Sequence, residues 1–282
     1  MNYFRGRQAK EIIKKALRED IGKRDITTAA IIPKNKYVKA TLLAEENCVI
    51  CGLGIAAEVF RTQDKRIKFK PRVSDGQKIK KGKIIAYISG KAQGILTAER
   101  VALNFLSLLS GVATKTRAYV DKVKPYKVKI LDTRKTIPAL RELEKYAVRI
   151  GGGYNHRMRL DEMILIKDNH IKVTGSYRDL PQITGSYEVE IEVKNLKEFK
   201  EVLKLKPDIV MLDNMSRKDM KKAVKIRDSL LPITYHLSPK LEASGGISLK
   251  NVEKIASCGV EMISIGALTH SFASVDISLE IL

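Results

Sequence analysis

Six short apolar segments in the second half of the chain each end in a polar or glycine signature, and the signatures differ. Helical patterns lie between most of them, and strands that alternate with helices predict a parallel sheet. In a closed α/β barrel the carboxyl ends of the strands build one shared active site, so the six signatures are expected to converge. The segments are 130–132, 163–166, 189–191, 209–212, 241–243 and 262–265.

The first part of the chain carries other patterns. Residues 7–20 have apolar or small side chains at helical spacing, and Asp25 begins a turn that is typical of a helix cap. Residues 36–90 are strand-rich, with clear alternation in 37–43. These features predict a helix followed by a small, mainly β structure.

Residues 97–124 predict a long helix that is apolar on nearly all sides, which indicates burial between domains or subunits. The prediction places Arg100 at the start of this helix. The helix dipole does not favour a cation there, so this arginine needs an explanation.

Length and composition fit an ordinary globular protein of about two domains, since the chain has 282 residues and is 44% hydrophobic. It has no run of about 18 apolar residues, so we expect no membrane span. The charged N-terminus has no apolar core, which predicts no signal peptide and a cytoplasmic location. The three cysteines are too few for a disulfide framework, and the Cys48–Cys51 pair has no partners for zinc, so buried strand thiols are expected.

The formal net charge of +21 predicts anionic partners, either nucleic acid or a polyphosphate substrate. The basic residues are dispersed, there is no Trp, and aromatic residues make up only 6% of the chain, so platforms for stacking bases are scarce. We therefore expect no nucleic-acid partner. A basic nucleic-acid-binding protein is the alternative from another functional class, and solvated lysine-rich faces explain part of the charge.

Two basic signatures are candidates for binding anions. Arg134 and Lys135 follow a strand and precede a helix, which suits a bound polyanion, although a solvated loop has the same pattern. The glycines of 151–153 allow a ligand to approach the backbone closely. His156 and Arg157, which follow, offer donors that fit a carboxylate; a simple glycine turn is the alternative.

Two carboxylates stand out in this basic chain. Glu190 and Glu192 share one strand face, and Glu192 and Asp213 end successive strands. Their pairing favours ribose hydroxyls or Mg²⁺ as ligands, whereas each acid alone is more often a surface or salt-bridge residue. The glycine signatures 244–246 and 266–267 end the last two strands, where barrels commonly bind a phosphate.

In this combination and order, the motifs resemble those of the quinolinate phosphoribosyltransferase family. The resemblance covers nearly the whole chain. It is carried by residues 17–22, 25–28, 99–104, 110–111, 132–135, 143–148, 151–157, 165–170, 212–214, 242–246 and 265–269.

The resemblance implies a role for each site residue. The two carboxylates of quinolinate would be bound by Arg134, His156, Arg157 and Lys167, with Arg100 reaching in from the partner subunit. Lys135 would contact the pyrophosphate of phosphoribosyl pyrophosphate, while Glu192 and Asp213 would hold ribose hydroxyls and Mg²⁺. The 5′-phosphate would be bound by Ser244, Gly245, Gly246 and Gly266.

The implied fold is an N-terminal α/β sandwich (1–110), an incomplete, about six-stranded α/β barrel (111–270), and a tail (271–282) that packs back on the sandwich. The implied activity forms nicotinate mononucleotide in a homodimer or higher oligomer with shared active sites. The alternative within enzymes is a phosphoribosyltransferase for nicotinate or another pyridine carboxylate. Four residues depart from the family pattern, since Ile137 stands where threonine is usual, and Arg24, Ala139 and Arg159 stand where glycine is usual.

Overall fold

Residues 7–180, 186–229 and 238–282 are described by a computed structural model, and they fold into two compact units. The first unit contains the chain up to Arg117 together with Ile137–Gly152 and Ser271–Leu282. The second contains Ala118–Thr136 and Gly153–His270.

The described residues of the first unit form two antiparallel sheets and five helices. Its strands are β1 (Tyr37–Ala44), β2 (Cys48–Val49), β3 (Lys68–Pro71), β4 (Lys78–Ile79), β5 (Ile84–Lys91) and, from the tail, β12 (Ile277–Ile281). Its helices are α1 (Arg7–Ile21), α2 (Ile26–Ile31), α3 (Leu53–Gln63), α4 (Ala92–Val123, which continues into the second unit) and α5 (Arg141–Ile150). The strand orders are β12-β1-β5-β3 and β2-β4, so the C-terminal strand pairs with β1.

The second unit is built on one six-stranded parallel sheet. Its strands are β6 (Lys129–Leu131), β7 (Ile164–Ile166), β8 (Val189–Val193), β9 (Ile209–Asp213), β10 (Lys240–Ser244) and β11 (Met262–Ser264). Its helices are α6 (Asp168–Thr174), α7 (Leu196–Leu203), α8 (Arg217–Ser229), α9 (Val252–Ala256) and α10 (Ala267–His270), with a 3-10 turn at Tyr177–Asp179.

The order β6-β11-β10-β9-β8-β7 confirms the parallel α/β sheet and the incomplete, six-stranded barrel. All six predicted apolar segments are strands of this sheet, with β6 and β7 at its two edges. Aligned residues on parallel strands point to the same face, and the register aligns Glu192 and Glu242 with Met211. That face also carries an apolar cluster of Leu131, Met163, Leu165, Ile209, Met211 and Met262. The strand acids therefore share the interior face with apolar side chains.

Several local predictions for the first unit are confirmed. The predicted helix at 7–20 is α1, and the alternating segment is β1, in which Ala40 and Leu42 are fully buried. Asp25 caps α2, because its Oδ1 accepts a hydrogen bond from the backbone N–H of Thr28 at 2.9 Å. Among the described residues the cysteines are free and buried, as expected.

The predicted start of the long helix is wrong. Helix α4 begins at Ala92, directly after β5, so Arg100 is an exposed residue inside the helix and not at its start. Gly94 lowers the local helix propensity, so the sequence pattern does not indicate that the helix starts here. In the structure, the absence of a Cβ at Gly94 allows close packing against Asp64 and Ile67. The apolar side chains of α4 are largely buried within this single chain, so they do not by themselves require a partner subunit.

In the described part of the chain, α4 is the helix whose length and composition would allow it to cross a membrane. Within its most apolar window, 61% of the residues are buried inside the protein. Burial of this kind is typical of the core helix of a soluble protein, so α4 is weak evidence for a membrane span.

Candidate active site

Three cationic side chains meet at the carboxyl end of the parallel sheet. Arg134 follows β6, Lys167 follows β7, and Arg157 lies in the loop between them. Burial lowers the pKa of Arg157, and the like charge of Arg134 lowers it further. Burial raises the pKa of Glu190, whereas the positive charges of Arg157 and Lys167 lower it. Both charges therefore lie near this acid. The sequence prediction that these three residues converge is consistent with this arrangement.

The guanidinium of Arg157 is oriented by the backbone of the same unit. Its Nη1 donates to the carbonyl oxygen of Met163 at 2.8 Å, and its backbone N–H donates to Nδ1 of His156 at 2.8 Å. The first contact fixes where the charge of Arg157 lies, and the second restrains its backbone.

His156 is anchored at both its backbone and its ring. Its backbone N–H donates to Oδ1 of Asp132 at 2.9 Å. Ring Nε2 lies 3.0 Å from Oε2 of Glu190 and 3.8 Å from Oε1 of Glu242. Both ring nitrogens therefore contact protein groups, and direct binding of a quinolinate carboxylate by this ring stays a prediction.

Two fully buried carboxylates lie beneath the cations. Glu190 and Glu242 have no exposed surface, and Ser264 Oγ donates to Oε1 of Glu242. Burial raises the pKa of Glu190 and of Glu242 well above the usual range, and nearby acids raise them further. The sequence pattern correctly predicted Glu190 on the same face as Glu192. Glu242 and Ser264 were not predicted as site residues, although strand alternation was a signal for them.

Glu192 and Asp213 lie at the carboxyl ends of the neighbouring parallel strands β8 and β9, which confirms their predicted adjacency. Burial raises the pKa of Glu192, and the negative charge of Asp213 adds to this effect. Two carboxylates that repel each other in this way form a donor set that suits a hard divalent cation, so these residues fit Mg²⁺.

The glycine loop after β10 is held against the loop after β9. Gly245 and Gly246 adopt positive φ angles of +86° and +61°. The side chain of Asn214 donates to Oδ2 of Asp213 at 3.0 Å, and its backbone N–H donates to the carbonyl oxygen of Ser244 at 2.8 Å. Asn214 thus connects the predicted phosphate loop to the predicted metal ligand.

The structure brings Lys135 next to Gly266. A Cβ on Gly266 would lie 3.1 Å from Cδ of Lys135 and 3.1 Å from Nε2 of His270. Thr269 Oγ1 donates to the carbonyl oxygen of Lys135 at 2.7 Å, which joins the ends of β6 and β11. His270 was not predicted from the sequence, although it directly follows the family motif at 265–269.

Arg100 differs from the other candidates because it belongs to the first compact unit, whereas all the others belong to the second. It is exposed on α4. Its predicted role in a partner's site stays a prediction.

Comparison with known proteins gives consistent matches over nearly the whole chain. The family models described as quinolinate phosphoribosyl transferase, N-terminal and C-terminal domain, match residues 25–110 and 112–280. A curated relative from Methanocaldococcus jannaschii, named probable nicotinate-nucleotide pyrophosphorylase [carboxylating], is 43% identical, and the match covers 97% of each chain.

The nicotinate-nucleotide pyrophosphorylase [carboxylating] of Mycobacterium leprae is 40% identical, again over 97% of each chain. The solved structure of the nicotinate-nucleotide pyrophosphorylase from Francisella tularensis superposes with a TM-score of 0.90 at 38% identity. That match covers 98% of this chain and 96% of the Francisella chain.

Proposed function

Because this chain belongs to the quinolinate phosphoribosyltransferase family, we propose that it transfers the phosphoribosyl group of phosphoribosyl pyrophosphate to quinolinate. The products are nicotinate mononucleotide, pyrophosphate and CO₂, in the de novo synthesis of NAD. The observation that carries this proposal is the convergence of Arg134, Arg157 and Lys167 at the same sheet edge as Glu192 and Asp213. The cations suit the dianion quinolinate, and the carboxylates suit the ribose of phosphoribosyl pyrophosphate. The reaction needs both kinds of group side by side.

The cationic side chains bind quinolinate. Arg134, Arg157 and Lys167 offer charge-assisted donors to its two carboxylates, and the guanidinium of Arg157 is already held by the carbonyl of Met163. His156 is assigned to the same pocket, and Arg100 is assigned to it from a partner subunit. This assignment explains an exposed arginine on a helix whose apolar residues are otherwise buried.

The remaining groups bind phosphoribosyl pyrophosphate. Lys135 contacts the pyrophosphate, and the 5′-phosphate is bound by Ser244, Gly245, Gly246 and Gly266. The proximity of Lys135 to Gly266 supports a common phosphate-binding region at the ends of β6 and β11. Positive φ angles at Gly245 and Gly246 are typical of loops that bring their backbone close to a ligand.

The reaction needs no protein nucleophile. The pyridine nitrogen forms a bond to the anomeric carbon while the bond from that carbon to pyrophosphate breaks, and pyrophosphate leaves with the electron pair. Loss of one carboxylate as CO₂ follows, and a proton takes its place on the ring. Lys135 stabilises the charge on the leaving group, and Glu192 and Asp213 stabilise positive charge that develops on the ribosyl ring.

Glu192 and Asp213 would also hold Mg²⁺. Burial raises the pKa of Glu192 and the negative charge of Asp213 raises it further, so the two carboxylates lie near each other, which supports binding of a cation by both. When bound, the metal would neutralise negative charge on the departing pyrophosphate.

The chain is further proposed to form a homodimer or higher homo-oligomer with shared sites in the cytoplasm. The buried, free cysteines fit a reducing compartment. Family membership and the dispersed basic residues both argue against the nucleic-acid-binding alternative.

A coupled assay tests the proposed function directly. Release of pyrophosphate and formation of nicotinate mononucleotide are measured with quinolinate or nicotinate as acceptor, with and without Mg²⁺. We expect turnover with quinolinate that requires Mg²⁺. Turnover with nicotinate alone would assign the chain to the alternative phosphoribosyltransferase, and no turnover with either acid would refute the proposal.

A further inference from the structure

Asp132 is a buried acid that directly follows β6, and the proposed chemistry assigns no role to it. Its side chain has no exposed surface, although Arg134 and Lys135, which follow closely in the chain, are assigned to the substrates. A carboxylate in the protein interior is costly unless hydrogen bonds satisfy it. A side chain without exposed surface cannot bind a substrate directly, so any effect of Asp132 on the reaction must pass through the residues that it contacts.

The residues that contact Asp132 belong to the segment 154–157, which lies beside the end of β6. The backbone N–H of Tyr154 donates to the carbonyl oxygen of Ile130 at 2.8 Å, and that of Asp132 donates to the carbonyl oxygen of Tyr154 at 3.1 Å. Leu131 and Tyr154 thereby form a parallel bridge. This backbone pairing fixes the start of the segment.

The carboxylate of Asp132 holds the next two residues of the segment. Its Oδ1 accepts from the backbone N–H of His156 at 2.9 Å, and its Oδ2 accepts from Nδ2 of Asn155 at 2.5 Å. Both oxygens accept, as those of an ionised carboxylate do, and such hydrogen bonds are stronger than neutral ones. The contact with His156 involves only its backbone, so the ring keeps its assignment to the quinolinate pocket.

These hydrogen bonds join the two segments that carry the arginines of the acceptor pocket. Arg134 lies two residues after Asp132, and Arg157 directly follows His156. Burial lowers the pKa of Arg157, and the positive charge of Arg134 lowers it further, so the two guanidinium groups lie near each other and repel. The hydrogen bonds to Asp132 oppose this repulsion and keep both segments in place before an anion binds.

We propose that Asp132 is a positioning residue, which ties the segment 154–157 to the end of β6 and so sets the spacing of Arg134 and Arg157 for the two carboxylates of the acceptor. The spacing matters because quinolinate presents its carboxylates in a fixed geometry, and a misplacement of about 1 Å is costly in such a site. This proposal rests on the proposed function, because it assumes that both arginines bind quinolinate.

Binding of the second substrate is expected to depend less on Asp132. Lys135, which is assigned to the pyrophosphate, is held separately, since Thr269 Oγ1 donates to its carbonyl oxygen at 2.7 Å. A change at Asp132 should therefore alter KM for quinolinate and leave KM for phosphoribosyl pyrophosphate nearly unchanged. A mere loss of folded protein would instead lower the apparent kcat and change neither KM.

The test compares Asp132→Leu and Asp132→Asn with the wild type. Leu fills a similar volume without an acceptor, whereas the carbonyl oxygen of Asn still accepts from the backbone N–H of His156. For Asp132→Leu we expect KM for quinolinate to rise roughly tenfold or more, as for a misplaced binding group. KM for phosphoribosyl pyrophosphate should stay within about threefold of wild type. Asp132→Asn should restore most of the quinolinate affinity.

Glu261→Leu is the matched control. The carboxylate of Glu261 also joins two segments of this unit, because Oε2 accepts from the backbone N–H of Leu241 at 2.8 Å and Oε1 accepts from Nη1 of Arg227 at 2.6 Å. Glu261 directly precedes β11, so it lies at the end of the parallel sheet opposite to the candidate site. We expect Glu261→Leu to lower the free energy of unfolding and to leave both KM values within about twofold of wild type.

A wild-type KM for quinolinate in Asp132→Leu, or equal increases in KM for both substrates, would overturn the proposal. An Asp132→Asn variant as impaired as Asp132→Leu would also overturn it, because the pocket would then need the charge of Asp132 and not its hydrogen bonds. An inactive wild-type enzyme would instead reject the proposed function.

A second variant covers the case in which Asp132→Leu does not fold. Asn155→Ala removes the hydrogen bond to Oδ2 of Asp132 and leaves the one from His156, so KM for quinolinate should rise roughly threefold or more. Amide hydrogen exchange gives an independent readout, since the backbone N–H of His156 should exchange slowly in the wild type and in Asp132→Asn. A wild-type KM in Asn155→Ala, or a His156 amide that exchanges as fast as those of exposed loops, would rule the positioning role out.

Discussion

Asn214 occupies the space that a side chain on Gly245 would need, since a Cβ at Gly245 would overlap Oδ1 of Asn214. Both residues have positive φ angles, +53° for Asn214 and +86° for Gly245. The same asparagine donates to Asp213, so the loop after β10 and the carboxylate proposed to hold Mg²⁺ are coupled through one side chain. Glycine at this position is therefore required by tertiary packing as well as by backbone conformation.

Gly245→Ala is expected to destabilise the protein more than Gly246→Ala. Gly246 also has a positive φ, +61°, but its nearest neighbour would be Asn214 Oδ1 at 3.8 Å, an ordinary contact. Gly246→Ala should thus cost about 1–2 kcal/mol of backbone strain. Gly245→Ala adds overlap and should cost roughly 1–3 kcal/mol more. Denaturant unfolding measures both, and the double variant Gly245→Ala/Asn214→Gly should recover the additional loss. Equal costs for the two alanine variants would disprove the overlap.

Ala139→Gly is expected to stabilise the protein. Ala139 has a φ of +65°, which is costly for a residue with a Cβ. Removing the Cβ should relieve about 1–2 kcal/mol of backbone strain. The greater freedom of glycine in the unfolded chain partly offsets this, so the free energy of unfolding should rise by roughly 0.5 kcal/mol. The control Ala30→Gly, at an exposed position of α2, should instead lose about 0.5–1 kcal/mol. A loss of stability in Ala139→Gly would show that the backbone at Ala139 is not strained.

Glu242→Gln is expected to change the pH dependence of stability. Burial, with the nearby charge of Glu190, raises the pKa of Glu242 to about 8, from an ordinary value of 4.5. Its protonated form is favoured in the folded state. The stability that this protonation contributes to the folded state is fully present below pH 4.5 and is lost as the pH rises through about 8.

The free energy of unfolding of Glu242→Gln should therefore rise relative to wild type between pH 5 and pH 9, by more than about 1 kcal/mol. The amide keeps an oxygen that accepts from Ser264, so the shape of the site is retained. Glu253→Gln makes the same change at an exposed position of α9 and should show no such trend. Parallel pH profiles for wild type and Glu242→Gln would mean that Glu242 titrates normally.

Asp213→Asn is expected to lower turnover more than it weakens quinolinate binding. The change keeps the shape of the side chain but removes a charge assigned to the metal and to the developing positive charge. Loss of such a transition-state contact appears in kcat, and we expect a reduction of roughly 10–100-fold. Asp208→Asn is the matched control at the opposite end of β9, where Asn still accepts from the N–H of Val189. Normal turnover at saturation with poor quinolinate binding would assign Asp213 to ground-state binding.

Mixing inactive Arg100→Ala and Arg157→Ala subunits is expected to restore part of the activity. If Arg100 acts in a partner's site, each hybrid dimer contains one intact site, because its two wild-type residues come from different chains. The control mixture of Arg134→Ala with Arg157→Ala should stay inactive, since both residues belong to the same compact unit of one chain. Subunit exchange is confirmed separately by mass labelling. If the Arg100→Ala and Arg157→Ala subunits exchange and the mixture is still inactive, the active sites are not shared between subunits.

The sequence by itself determined the strands of the parallel sheet and most of the chemistry at their ends. Short apolar segments located β6 to β11, because strands buried on both faces need continuous apolar residues. It also placed Glu192 beside Asp213, since neighbouring parallel strands end at the same edge. Asp25 was recognisable as a cap because capping is local in the chain.

Only the tertiary structure decided which groups support that chemistry. Glu190 and Glu242 lie far apart in sequence, and both approach His156 because the sheet curves and buries them on one face. The overlap of Asn214 with Gly245 likewise depends on two loops that meet only in the folded protein. The start of α4 was misread because Gly94 has a low intrinsic helix propensity, and packing against Asp64 and Ile67 overrides it. Local patterns therefore specified elements and strand ends, whereas contacts between distant residues were set by packing.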